Sequence, residues 1–374
     1  MKVAIVHDWL TGMRGGEKVL EALCERYPDA ELFTLLHVPG SVSATIERAP
    51  IHPSLLQYLP AVRRYYRACL PLFPVLVEHF DLERCNLVIS SSHCVAKSVI
   101  VGPEAVHVCY CHTPMRYAWD QFGVYFGPER VGRIGSALAR PVLAALARWD
   151  RATARRVHRY VTNSQHVAQR IGRYYNRVAS VVYPPVDTDF FTPDPSVPVE
   201  KSGCLIVSAL VPYKRVEVAV DACRLAGVPL TIVGDGPDRP RLERLAGQSS
   251  GDVTFLGRLH DEQVRDQYRR AALVLMPGEE DFGIVPVEAQ GCGRPVIALG
   301  RGGAVETVVP GETGILVDEP TPGAFATAIR EALAHRFDPD VIRRHAERFG
   351  RSRFGDEITA IVDDAVRDGG RRAW

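Results

Sequence analysis

The chain has 374 residues, of which 46% are hydrophobic and 24% charged, and its formal net charge is +1. That is the composition of a soluble globular enzyme with room for two domains, and the near-neutral balance argues against nucleic acid or another acidic polymer as partner. Nine cysteines without a CxxC pair read as buried reduced thiols, and no apolar run approaches the length of a bilayer span, so a cytoplasmic protein is expected.

The opening run Lys2-Val3-Ala4-Ile5-Val6-His7-Asp8 reads as a first strand rather than a signal peptide. Short apolar runs then alternate with helical patterns, as in parallel sheets flanked by helices. Strands are expected at residues 3–6, 32–36, 87–90, 106–110, 160–162 and 181–183. A second series is expected at 204–208, 230–233, 253–256, 273–276, 296–298 and 314–317. Between them a proline-rich stretch reads as a linker. The expected architecture is α/β: two doubly wound Rossmann-like domains facing a cleft, with residues 1–185 in the first, 186–200 as linker and 201–353 in the second.

In chain order, the first candidate is Thr11-Gly12-Met13-Arg14-Gly15-Gly16-Glu17-Lys18, which follows the first strand and opens a helix. Gly15 and Gly16 let an acceptor hydroxyl or a donor phosphate approach the helix start. Glu17 has two readings, an acceptor-side contact or a charge that favours the helix amino terminus. Residues 55–74 mix Arg63, Arg64 and Arg67 with tyrosines and leucines, which fits an anionic membrane surface or a packed helix with a basic exposed side. His112 and Arg116 follow the strand at 106–110, at the carboxyl end where open α/β sheets bind ligands. Arg116 is placed to meet a phosphate of acceptor or donor.

Asp187-Thr188-Asp189 has the Asp-x-Asp form that can hold a divalent ion, yet it lies beside prolines in the linker, so no metal site is expected there. Lys214 and Arg215 lie where a strand gives way to a helix, a position unfavourable for cations unless an anion is bound. Gly234 and Gly236 form one strand-to-glycine turn, and Gly257-Arg258-Leu259 forms another. No GxGxxG follows the first strand, which disfavours a nicotinamide oxidoreductase. The most informative stretch is Glu280-Asp281-Phe282-Gly283-Ile284-Val285-Pro286-Val287-Glu288, two carboxylates across a strand-to-helix junction. Backbone amides from Phe282, Gly283, Ile284 and Val285 offer an uncapped helix start to a phosphate.

The two glutamates with their seven-residue spacer, the aromatic and glycine behind the first, and the following Gln290-Gly291-Cys292-Gly293-Arg294-Pro295 resemble the signature of the family 4 retaining glycosyltransferases. That resemblance implies the GT-B fold, with a closing helix of about residues 354–374 that returns to the first domain. It implies a metal-independent transfer from a nucleotide-sugar donor, with no cofactor. Lys214 matches the family's phosphate-binding lysine, although the arginine usual five residues earlier is Ala209 here. Glu280 would position the sugar, Glu288 the ribose, Arg258 and Leu259 the base, and His112 a sugar hydroxyl. The first glycine loop looks like the family's Gly-Gly-x-Glu loop with one residue fewer. The longer run around His112 resembles a subgroup of bacterial surface-polysaccharide mannosyltransferases, which favours GDP-mannose and a saccharide or polyprenyl-linked acceptor, with the protein peripheral on the inner face of the plasma membrane. A UDP-sugar-dependent transferase of the same fold and a noncatalytic nucleotide-sugar-binding protein are the alternatives.

Overall fold

In the first strand, alternate side chains enter different cores: Ala4 and Val6 join one apolar cluster with Val88, while Ile5 joins another with Leu87 and Ile89. Period-2 alternation with both faces apolar requires a sheet covered on both sides. The computed structural model describes residues 1–247 and 252–369. Its chain divides into two compact units, one made of Met1–Pro185 with the segment from Phe354, the other of Val186–Arg353.

The first unit holds β1 (Val3–His7), β2 (Glu31–Thr34), β3 (Ile51–Pro53), β4 (Leu87–Ser92), β5 (Val106–Cys111), β6 (Arg159–Thr162) and β7 (Ala179–Val181). Its sheet order is β3-β2-β1-β4-β5-β6-β7, parallel throughout. The second unit holds β8 (Cys204–Val207), β9 (Leu230–Val233), β10 (Val253–Gly257), β11 (Leu273–Met276), β12 (Val296–Leu299) and β13 (Gly314–Val317). Their order, β10-β9-β8-β11-β12-β13, is again parallel throughout. In each sheet the chain winds outward one way and then returns to wind the other. The reversal falls between β1 and β4 in the first unit and between β8 and β11 in the second, and such switch points open a crevice at the carboxyl ends of the strands.

The closing helix is Arg351–Arg367. Its Phe354, Ile358, Val362 and Ala365 form a stripe at helical spacing that is buried in the first unit's core with Ile5, Leu20 and Leu87. Residues 370–374 of the expected helix lie outside the described residues. Residues 186–200, expected as a linker, are packed onto the second unit. Val186 N donates to Phe349 O at 3.0 Å and Glu200 N to Arg270 O at 2.8 Å. Arg269 Nε donates to Thr192 O at 2.7 Å, and Phe191 is buried against Tyr268.

Two details depart from the expected elements. The edge strand β3 was not expected; it is three residues long and ends in Pro53, which a sheet tolerates only at an edge. Residues 55–74 form short 3-10 turns, Leu55–Tyr58, Val62–Arg64 and Tyr66–Leu72, rather than one packed helix. Pro60 and Pro71 deny that segment the continuous backbone hydrogen bonds of an α-helix. No helix among the described residues is long and apolar enough to cross a membrane.

Candidate functional site

Each unit gathers its candidate residues at its own switch point. In the first unit, parallel register sets His7 at the end of β1 directly opposite Ser91 in β4. Ser91 Oγ lies 3.1 Å from His7 Nδ1 and 2.8 Å from His112 Nε2, so one hydroxyl bridges two imidazoles. Gly16, in the first turn of the helix Gly15–Arg26, lies over both rings: a Cβ built there would sit 3.7 Å from His7 Cε1 and 3.8 Å from His112 Nε2. Glu17 accepts from Arg14 N at 3.1 Å, which caps the helix, and its other oxygen is 3.9 Å from His7 Nε2. Glu17 therefore serves the helix start and also faces the histidine cluster.

Asp8, His7, Ser91 and His93 were not singled out from the sequence, though His7-Asp8 and Ser91-Ser92-His93 each follow a strand and so carried a positional signal. Asp8 is fully enclosed, and its carboxylate accepts the N–H groups of His93 at 2.7 Å, Cys94 at 2.9 Å, Val95 at 2.7 Å and Ala96 at 2.8 Å. Burial alone would raise this carboxyl. The nearby His93 and His7 and the backbone donors outweigh it and hold the group below the usual carboxylate range. Asp8 thus pins the turn after β4, with His93 Nδ1 3.1 Å away. Burial likewise works against the Glu17 carboxylate, and His7 more than offsets it.

His112 is driven the other way. Desolvation, followed by the charges of His93 and His7, pushes it down to about 3, so its imidazole is neutral near pH 7. A single hydroxyl donates once, so Ser91 donates to one imidazole and accepts from the other. The Glu17 carboxylate favours a proton on the His7 nitrogen that faces it, Nε2. Ser91 then donates to His7 Nδ1 and accepts from His112 Nε2, which leaves His112 Nδ1 as an acceptor. That nitrogen has no hydrogen-bond partner among the described residues and is suited to a hydroxyl of a ligand. Arg116 opens the short helix Arg116–Trp119 just beyond, half-buried.

In the second unit, the loop after β8 meets the loop after β11. Lys214 ends the turn Pro212–Lys214, and its Nζ forms a direct ion pair with Glu280 Oε1. Gly278 makes the approach possible, because a Cβ there would fall 2.8 Å from Lys214 Cα and 2.8 Å from Tyr213 O. Arg215 follows in a left-handed conformation at φ +52°, which costs an L-residue about 1 kcal/mol and starts the helix Val216–Ala226. Its side chain is exposed. Gly283, at φ +91°, caps the helix Ile284–Gly291 in a backbone region that favours glycine. Phe282 is buried against Phe349, while Ile284 and Val285 are half-buried at the helix start. Gly234 and Gly236 lie against the carbonyls of Ser208 and Leu210, beside the same crevice.

Glu288 is only 6% exposed and accepts from Tyr268 Oη at 3.0 Å, so its carboxylate has a protein donor in place. Arg258 is exposed and Leu259 half-buried beyond β10, reached from the neighbouring strand end. The second unit thus brings together Lys214, Glu280, Gly283 and the helix start, with Glu288 one turn deeper. Asp187 caps Phe190 N at 3.0 Å while Asp189 stands exposed, and among the described residues no group of three or more His, Cys, Asp or Glu is placed to hold a metal ion. Arg63, Arg64 and Arg67 lie elsewhere, exposed on the 3-10 turns whose Val62, Tyr66 and Leu70 enter the first unit's core.

Two consecutive doubly wound units of this order define the class of the GT-B glycosyltransferase fold. Anabaena HepE in complex with UDP-glucose superposes with a TM-score of 0.69 at 18% identity, covering 97% of this chain and 100% of that one. Sucrose-phosphate synthase from Thermosynechococcus elongatus gives a TM-score of 0.68 at 20% identity, covering 98% and 100%. The Glycosyltransferase Family 4 model matches residues 13–190 and the Glycosyl transferases group 1 model matches residues 188–351. The chain belongs to this glycosyltransferase family.

Among its relatives, a D-inositol 3-phosphate glycosyltransferase of Mycolicibacterium smegmatis is 34% identical over 234 residues, covering 56% of this chain and 54% of that protein. A GDP-mannose-dependent alpha-(1-6)-phosphatidylinositol monomannoside mannosyltransferase of Mycobacterium tuberculosis is 33% identical over 199 residues, covering 46% and 52%. The chain spans about half the length of the curated relatives it matches.

Proposed function

We propose that this protein is a retaining glycosyltransferase that moves a hexose, mannose from GDP-mannose in the first instance, onto a saccharide or lipid-linked saccharide without a metal ion or other cofactor. The observation that carries the reading is the Lys214–Glu280 pair at the second switch point, beside the amino terminus of the helix Ile284–Gly291. A nucleoside diphosphate leaving group accumulates negative charge as the glycosidic bond breaks. Lys214, the exposed Arg215 and the helix-start amides of Ile284 and Val285 supply the neutralising partial charges. In the unliganded chain Glu280 satisfies the lysine; with donor bound, the diphosphate takes that role and frees the carboxylate for a sugar hydroxyl.

Glu288 reaches the ribose while Tyr268 holds its carboxylate in place. Gly234 and Gly236 let the backbone close on the donor, and Arg258 and Leu259 flank the base. In the first unit neutral His112 accepts a sugar hydroxyl, Gly15, Gly16 and Glu17 line the acceptor side, and Arg116 meets a phosphate. The bond from C1 to the diphosphate oxygen breaks as the acceptor oxygen bonds to C1 on the same face, and the acceptor proton passes to the departing phosphate. The printed activity of the mannosyltransferase relative favours GDP-mannose. The exposed Arg63, Arg64 and Arg67, with Leu55 and Tyr58 exposed nearby, fit an acceptor held at the inner face of the plasma membrane.

A thermal-shift panel of GDP, UDP and ADP with their sugars, each with and without chelator, tests the reading. Stabilisation by GDP and GDP-mannose that survives chelator is expected. A response to UDP alone would overturn the donor, and a response abolished by chelator would overturn the metal-free mechanism.

A further inference from the structure

The helix Pro128–Thr153 is broken at Gly132, which has φ +73°, and from there on it divides its surface into three stripes. Leu143, Leu146, Asp150 and Thr153 are buried. Ile134, Leu138 and Val142, spaced four apart, form an apolar stripe that is 78%, 67% and 40% exposed. Between these two stripes runs a line of exposed arginines that includes Arg140, Arg148 and Arg151. A helix that serves only its own core turns a polar back to solvent. This one turns outward a second apolar stripe with cations alongside.

At the end of the arginine line a cavity of about 420 Å³ is lined by Arg148, Arg151 and Arg155, with Tyr175 and Arg177 opposite. Arg177 is 4% exposed, and its guanidinium is held by Ala154 O at 3.2 Å and His158 O at 3.3 Å. Arg148, Arg151 and Arg155 have no ion-pair partner among the described residues. Of the acidic side chains in this region, Asp150 faces inward and is taken by Lys97 at 2.9 Å, Trp119 Nε1 at 2.8 Å and Tyr175 Oη at 2.8 Å, and Glu78 is taken by Arg156 at 2.7 Å and Trp149 Nε1 at 3.0 Å. The guanidinium groups of Arg148, Arg151 and Arg155 along one cavity repel one another until an anion enters, and their planar forks match phosphate oxygens.

We propose that this cavity receives the phosphate headgroup of an anionic lipid in a bilayer, while Ile134, Leu138 and Val142 enter the acyl boundary beside it. Charge complementarity fixes the cavity's occupant, and the adjoining apolar stripe selects a lipid surface over a free anion. Leu143 and Leu146 pack in the same core cluster as Val62, Tyr66 and Leu70, so the helix and the turns bearing Arg63, Arg64 and Arg67 cover one face of the first sheet. The inference is independent of the donor chemistry.

Flotation of the full chain with vesicles of phosphatidylcholine, with and without phosphatidylglycerol, tests it. The wild type is expected to float only with phosphatidylglycerol. The triple variant Arg148→Gln, Arg151→Gln, Arg155→Gln should lose roughly a hundredfold in partitioning, at about fivefold per cation. Ile134→Ser with Leu138→Ser should lose about tenfold or more. An unchanged melting temperature of both variants shows that they fold. Equal binding to neutral vesicles, full binding by the triple variant, or no flotation of the wild type overturns the proposal. So does stabilisation by free pyrophosphate that needs the three arginines in a chain that does not float, which would make the cavity a soluble-anion site.

Discussion

The two units place their candidate residues at the same topological position yet hold them by different physics. In the second, backbone approach sets the geometry: Gly278 lets one loop lie on Lys214, and Gly283 turns the chain into the helix whose amides face the crevice. In the first, side chains hold one another, through Ser91 between two imidazoles and the Asp8 carboxylate beneath four backbone donors. A fold set by backbone approach survives changes of charge and fails on added volume. A site built on a side-chain network should do the reverse.

The largest expected effect lies in the ion pair of the second unit. Lys214→Ala or Glu280→Ala should lower sugar transfer by about a thousandfold, the scale for removing a group that faces developing charge. Steady-state transfer measured beside the melting temperature checks this, and the fold should survive because both groups keep some solvent contact. Glycine substitutions separate the two units most cleanly. Gly278→Ala forces a methyl into the Lys214 backbone and should destabilise the protein by roughly 2–4 kcal/mol. Gly16→Ala meets its neighbours at ordinary contact distance in a helical turn, so stability should rise by up to about 1 kcal/mol. Turnover should fall nonetheless, because the methyl covers His112. Calorimetric melting and activity measured on both variants would break the comparison if the two behaved alike.

Acidification separates the units further. His107 in β5 is buried, its Nε2 lies 2.8 Å from Ser90 Oγ, and burial pushes it down to about 3 from its ordinary 6.5. The unfolded chain binds a proton there that the folded chain does not, so stability is full above pH 6.5 and is lost as pH falls from 6.5 towards 3. The loss is roughly 1.4 kcal/mol by pH 5.5 for this one group. Chemical denaturation across that range should show the slope, and His107→Gln should reduce it by this one group's share, with His112, which burial lowers in the same way, contributing to the rest. The last pair of changes lies deep in the second site, where the conservative Glu288→Gln should have the smallest effect. Tyr268→Phe removes one donor from the Glu288 carboxylate and should cost about 1–3 kcal/mol, while Glu288→Gln keeps an acceptor for the tyrosine and should cost less than about 1 kcal/mol.

The same contrast explains what was legible in the sequence. The second site is written largely in one line, since Glu280, Gly283 and Glu288 are neighbours in the chain, whereas Gly278, needed for the approach of Lys214 and Tyr213 from far upstream, was not singled out. The first site is assembled from three strand ends, with His7 and Ser91 84 residues apart and Ser91 and His112 21 apart. Only the parallel register brings them together, so His112 was visible and its partners were not. Strand periodicity located most of both sheets because both faces are apolar. It missed β3, where three residues and a proline leave no period to detect, and it set β7 two residues late, at 181–183 rather than Ala179–Val181.

On the proposed function a nucleotide sugar binds at the Lys214–Glu280 switch point without metal. Isothermal titration of GDP into the wild type and into Lys214→Ala, both in chelator, tests it most directly. Clear binding by the wild type and at least about tenfold weaker binding by the variant are expected, one charge-assisted contact being worth about 1.5–3 kcal/mol. Equal affinity in the two proteins, or wild-type binding that appears only when a divalent ion is restored, would contradict it.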